Sequence, residues 1–231
     1  MRDADRIRFP MSVRGKAALE LSILAVLTLV FLLAFPRRSP AVDVGLAAVA
    51  LVCLALSTSY TKKVIWAASP PPVVEDRYRR CFIATIWVTV PAVLLLFTIG
   101  ILLGYRDGGW PAAANRVFNW RILAAFGFYL PWALMQQTLF QFYLLGRMLA
   151  LFPRRRPLAA VVITGIVFSL VHLPDVWTTL GTAIAGSAWC FLYYRYRLLL
   201  PLAFSHAALG SAFYYGLFGH DLATEWSAIL P

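Results

Sequence analysis

Pro131-Trp132-Ala133-Leu134-Met135-Gln136-Gln137-Thr138-Leu139-Phe140-Gln141 sets three amides into an otherwise apolar run that extends from Ile122 to Phe152. Polar side chains in apolar surroundings return at Phe168-Ser169-Leu170-Val171-His172 and at Phe204-Ser205-His206, so two of the chain's three histidines fall in this part of the sequence. Amides and imidazoles at membrane depth are costly unless they face one another or water. They therefore mark an interior site, and the rest of the chain reads as its support.

Hydrophobic residues make up 61% of the 231 positions and charged residues 13%, with a mean hydropathy of +0.74. An ordinary soluble domain is far less apolar. The apolar runs, roughly 17 to 25 residues each, suit a hydrocarbon layer of about 30 Å, and they lack the alternating polarity of barrel strands. The expected fold is all-α, a polytopic integral membrane bundle of seven transmembrane helices at about 17–35, 41–60, 81–105, 122–152, 158–173, 176–194 and 198–218. An eighth, re-entrant piece at Pro174 is the alternative. Pro36-Arg37-Arg38, Lys62-Lys63, Pro70-Pro71-Pro72 and Pro153-Arg154-Arg155-Arg156-Pro157 read as stops. Pro131 predicts a kink, and 106–121, with Trp110, Asn115 and Trp120, reads as a loop at the headgroups. Within one membrane domain, three regions follow: amino-terminal helices and loops over 1–121, a core over 122–219 and a short tail over 220–231.

The net charge of +11 comes from short basic clusters between apolar runs and not from one soluble face, which argues against a nucleic-acid partner. On seven spans, 16 of the 21 basic residues fall on the side of the amino terminus, so that terminus is expected in the cytoplasm. The expected location is a plasma membrane of bacterial type. No cleavage signature follows Arg2, Arg6, Arg8, Arg14 and Lys16, so the first helix is expected to remain as an anchor. Cys53, Cys81 and Cys190 are too scattered for a disulfide framework and read as small core residues. Small residues four apart, Gly165 with Ser169, Gly181 with Ala185, Thr182 with Gly186 and Ala207 with Ser211, predict close helix approach.

On a helix Gln137 and Gln141 share a face with Gln136 beside it, and Phe168 stands one turn before His172. These residues resemble the CAAX-prenyl-protease and bacteriocin-processing (CPBP, or ABI) intramembrane proteases. That family carries Glu-Glu-x-x-x-Arg on one helix, Phe-x-x-x-His on a later one and His-x-x-x-Asn or His-x-x-x-Asp on a third. Gln136-Gln137-x-x-x-Gln141, Phe168-x-x-x-His172 and His206-x-x-x-Gly210 follow in that order, with amides for both glutamates, Gln141 for the arginine and Gly210 for the last polar residue. The resemblance covers the chain from Ile122 on. It implies an endopeptidase acting on a membrane-associated protein or peptide, with His172, His206, Gln136 and Gln137 catalytic, Gln141 and Phe168 in binding, and membrane lipid and the peptide substrate as partners.

A neutral amide takes no proton from water, so Gln136 and Gln137 can orient water or hold an oxyanion but cannot replace a carboxylate base. The base must be His172 or His206. Zinc is the other route, yet the nearest carboxylate, Asp175, lies beyond Pro174 and no His-x-x-x-His pair is present, so no cofactor or metal is expected. The competing reading makes the glutamines interhelical glue, His172 a helix-end residue, and the protein a non-catalytic binder of a peptide, lipid or lipidated tail. Arg147 is expected to snorkel to the headgroups, Glu20 and Asp43 to lie at the interface, and His220 at the surface.

Overall fold

The computed structural model describes residues 11–34, 40–68, 75–152, 156–173 and 175–218. The Pro36, Pro70–Pro72 and Pro153 stops, Pro174, His220 and the 220–231 tail lie outside them, as does the side chain of Asp43. Among the described residues the fold is all-helical, without a strand. The chain forms two compact units, each discontinuous in sequence: 1–74 with 138–197, and 75–137 with 198–231.

The first unit contains α1 (Met11–Ala34), α2 (Pro40–Tyr60) with a π-helical extension (Thr61–Trp66), a second π segment (Thr138–Leu144), α5 (Leu145–Leu151), α6 (Pro157–Leu170) and α7 (Val176–Tyr196). Lys62 and Lys63 do not stop the helix as expected. They stand exposed while Thr61 and Ile65 turn inward, so the π turn continues to Trp66 with its charges in the open. The 122–152 run is likewise three helical pieces. The change from α to π hydrogen bonding begins at Thr138, seven residues after Pro131.

One charged residue, Arg147, corrects the expectation that it snorkels to the headgroups. Arg147 is fully buried, its Nε donating to Glu20 Oε2 at 2.7 Å and its Nη1 to Thr61 Oγ1 at 2.7 Å. Tyr143 donates its hydroxyl to the same carboxylate oxygen at 2.9 Å and lays its ring 3.7 Å from the guanidinium. A buried cation needs a counter-charge and hydrogen bonds in place of its water, and this arrangement supplies both. Arg197 closes α7 in the left-handed conformation (φ 54°), over the Trp66 ring at 3.9 Å. Burial pulls its pKa down to about 10, against the opposing effect of Tyr193 and Tyr194, which leaves it cationic at neutral pH.

Helices α6 and α7 meet across Gly165, where a Cβ would stand 2.7 Å from the Ser187 Cα. Of the small-residue positions, Gly165 and Gly186 carry the approach, whereas Gly181 is exposed. Cys190 and Cys81 are buried, as core residues should be, but Cys53 is exposed on α2, along with Val49, Val52 and Leu56.

The second unit contains α3 (Arg77–Val117), α4 (Arg121–Gln137), α8 (Leu200–Ala212) and its π-helical continuation (Phe213–Phe218). The expected loop 106–121 is largely helical. Besides the 118–120 connection to α4, its non-helical backbone is at Gly108 and Gly109, the latter with φ 69°, and Pro111 then sits in the first turn of the resumed helix. The break brings Ala113 back against Gly104 and lets Arg116 reach Asp107 Oδ2 at 2.9 Å and the Leu217 carbonyl at 2.9 Å. α4 and α8 pack through alanines, Ala125, Ala133, Ala203 and Ala207, all at most 2% exposed.

Two helical stretches, Ala48–Trp66 and Arg77–Val117, are long and apolar enough to cross a membrane by length and composition. Large apolar side chains stand in the open on several helices, among them Leu33, Leu56, Trp87 and Ile184, each more than 70% exposed. Water would oppose such a surface.

Candidate functional site

The motif residues divide between the units. In the second, α4 brings Gln137 and α8 brings His206 together: Gln137 Nε2 lies 3.4 Å from His206 Nδ1, and both residues are at most 3% exposed. An amide nitrogen only donates, so facing it Nδ1 is the accepting nitrogen of a neutral imidazole. Tyr129 sets its ring nearly perpendicular to the imidazole, 5.6 Å between centroids at 80°. The neighbouring Ser205 accepts a 2.6 Å hydrogen bond from Thr89 on α3, which ties the histidine's own turn to a third helix. Gln136, beside Gln137, is half-buried.

In the first unit Phe168 is 1% exposed and packs against Phe140 at 4.5 Å and Trp189 at 6.1 Å. His172 is not on the helix that carries Phe168, as the expected 158–173 span required. α6 ends at Leu170, and His172 lies in the following turn, its N–H donating to the Ser169 carbonyl at 2.9 Å and its carbonyl accepting from Asp175 at 3.1 Å. The two rings still meet edge to face at 5.8 Å. Gln141, 1% exposed, directs its Nε2 at Cys190 Sγ, 3.6 Å away.

The amide oxygens of Gln136, Gln137 and Gln141 are buried and accept no hydrogen bond among the described residues. Each is an unspent acceptor, suited to the N–H groups of a peptide or to water. Metal chemistry finds less support in the side chains. The Asp175 carboxylate accepts from the Trp177 and Thr178 backbone N–H groups and from the Thr178 hydroxyl, as the N-cap of α7. Among the described residues no three His, Cys, Asp or Glu side chains gather as a ligand set.

Several contributors escaped the sequence. Glu20 and Arg147 are 127 residues apart. One charge in each of two apolar runs was the signal that they pair. Tyr129 and Thr89 carried no such mark, being ordinary residues of apolar helices.

Residues 118–211 match the family model described as Type II CAAX prenyl endopeptidase Rce1-like. The match embraces all six candidate residues and less than half of the chain. No curated protein and no solved structure matches the chain. Residues 118–211 are thus similar to the Rce1-like type II CAAX prenyl endopeptidases, in the part of the chain that holds the three motifs.

Proposed function

We propose that this chain is an intramembrane endopeptidase of the CAAX-processing type, acting on a membrane-associated protein or peptide from within a bundle of seven spans. The observation that carries the proposal is the buried Gln137–His206 pair inside the Rce1-like region. The two long apolar stretches and the open apolar side chains support the membrane setting.

The chemistry falls to the imidazoles. With Nδ1 occupied by Gln137, neutral His206 offers an N–H at Nε2, which suits it to hold a developing oxyanion. His172, in the first unit, is the other imidazole of the Rce1-like region and the second candidate for the base. It lies half-buried in the turn that follows α6, edge to face with the Phe168 ring. Phe168 supports its ring, and the free amide oxygens of Gln136 and Gln137 accept N–H groups of the bound chain.

The absence of a carboxylate at 136 and 137 favours a second reading, a protease-like protein that binds a peptide, lipid or lipidated tail without cutting it. Comparing protein termini in membrane and secreted fractions from cells carrying wild type or His172→Ala/His206→Ala at equal abundance separates the two. Termini present only with wild type are expected. Identical termini at high abundance would leave the binding reading in their place.

A further inference from the structure

The His206 imidazole is held by two residues of α4, and only one belongs to a motif. Gln137 meets Nδ1, whereas Tyr129, eight residues earlier, meets the ring itself. Tyr129 reaches it across Gly210, one turn beyond His206 on α8. A Cβ at position 210 would stand 2.7 Å from Tyr129 Cε1 and 3.2 Å from both Cδ1 and Cζ. No residue larger than glycine fits there while the tyrosine ring keeps its place. Gly210 is thus the space that the Tyr129 ring needs.

The second torsion of a histidine side chain is broad and nearly two-fold. A hydrogen bond to Nδ1 alone tolerates some rocking, and rotation by half a turn would present Cδ2 to the amide in place of Nδ1. An aromatic ring at 80° against the imidazole blocks that rotation. The Thr89–Ser205 bond fixes the backbone turn but leaves the ring's torsion free. We infer that Tyr129 is a positioning residue for His206, paired with Gly210, and that it fixes which imidazole nitrogen faces Gln137 and which is offered for chemistry. The inference rests on His206 being a site residue, but its first test does not depend on cleavage.

That test is the 15N spectrum of histidine-labelled full-length protein in lipid nanodiscs, with the His206 signals assigned by a His206→Ala variant. Wild type and Tyr129→Phe are expected to show one neutral tautomer, bare at Nδ1 and protonated at Nε2. Tyr129→Leu and Gly210→Ala are expected to show averaged nitrogens. Adding Gly210→Ala to Tyr129→Leu should change nothing further, because the added methyl no longer meets a tyrosine ring. A folded Tyr129→Leu protein with the wild-type tautomer overturns the inference, as does an averaged Tyr129→Phe. Should Gly210→Ala not fold, the Phe and Leu variants at 129 decide alone. Where cleavage is measurable, Tyr129→Leu should lose about 10²-fold in rate, and Tyr129→Phe should stay near wild type. A changed tautomer without any cleavage in wild type would leave this inference standing and count only against the peptidase.

Discussion

Arg147 shows how much one buried charge asks of its surroundings. Its guanidinium depends on Glu20, Thr61 and Tyr143, and Nη2 is still without a hydrogen bond among the described residues. Glu20→Gln leaves the cation buried without its counter-ion and should cost about 3–5 kcal/mol, read as a fall in the midpoint of thermal unfolding in detergent micelles. Replacing both partners with apolar residues of similar volume, Glu20→Leu with Arg147→Met, should restore most of that loss. At the site, Gln137→Glu places an acceptor where Nδ1 now finds a donor. The expected result is a proton on Nδ1 and a lone pair on Nε2, visible in the 15N spectrum, and cleavage slower than wild type, because Nε2 no longer offers an N–H to the oxyanion. The sequence displayed each of these side chains but not their partners. Polar residues in apolar runs announce that they must be satisfied, and which residue satisfies them depends on contacts from 69 to 127 positions away.

Helices were legible because apolar runs of this length admit little else, and α7 starts at Val176, where the sequence placed it, with Asp175 revealed by the structure as its N-cap. Asp175→Ala should cost about 1 kcal/mol in unfolding measurements. Interruptions were harder to read. Lys62-Lys63 looked like an end, yet charge alone does not break a helix whose other face is buried. The Gly108-Gly109-Trp110-Pro111 stretch looked like a loop, and it is a two-residue break between helical segments. Gly109 holds φ 69°, where a side chain strains the backbone by roughly 1–2 kcal/mol. Gly109→Ala should therefore destabilise the protein by about that amount, while the same change at the open Gly127, whose Cβ would meet nothing within 4 Å, should not. His172 illustrates a subtler limit. The Phe-x-x-x-His spacing implies one helix face, but α6 stops two residues earlier and the rings meet across a turn.

At the level of the whole molecule, the Rce1-like region is not a self-sufficient piece. It begins at residue 118, whereas Arg147 is neutralised from α1 and the His206 turn is tied to α3 through Thr89. A protein consisting of residues 118–211 alone should not give the cooperative unfolding transition of the full chain. The motif order pointed to the stretch that the family model matches. It did not tell that each compact unit is assembled from two separated stretches of chain, because apolar helices of similar length offer many pairings and composition does not rank them.

The separation between Glu20 and Arg147 also carries a consequence for synthesis. At about 5–20 residues per second, the 127 residues between them take roughly 6–25 s to make. For that interval Glu20 has Lys16, one turn before it on α1, as its counter-charge. The nascent chain must wait until the ribosome delivers the arginine that, with Thr61 and Tyr143, completes the cluster around that carboxylate.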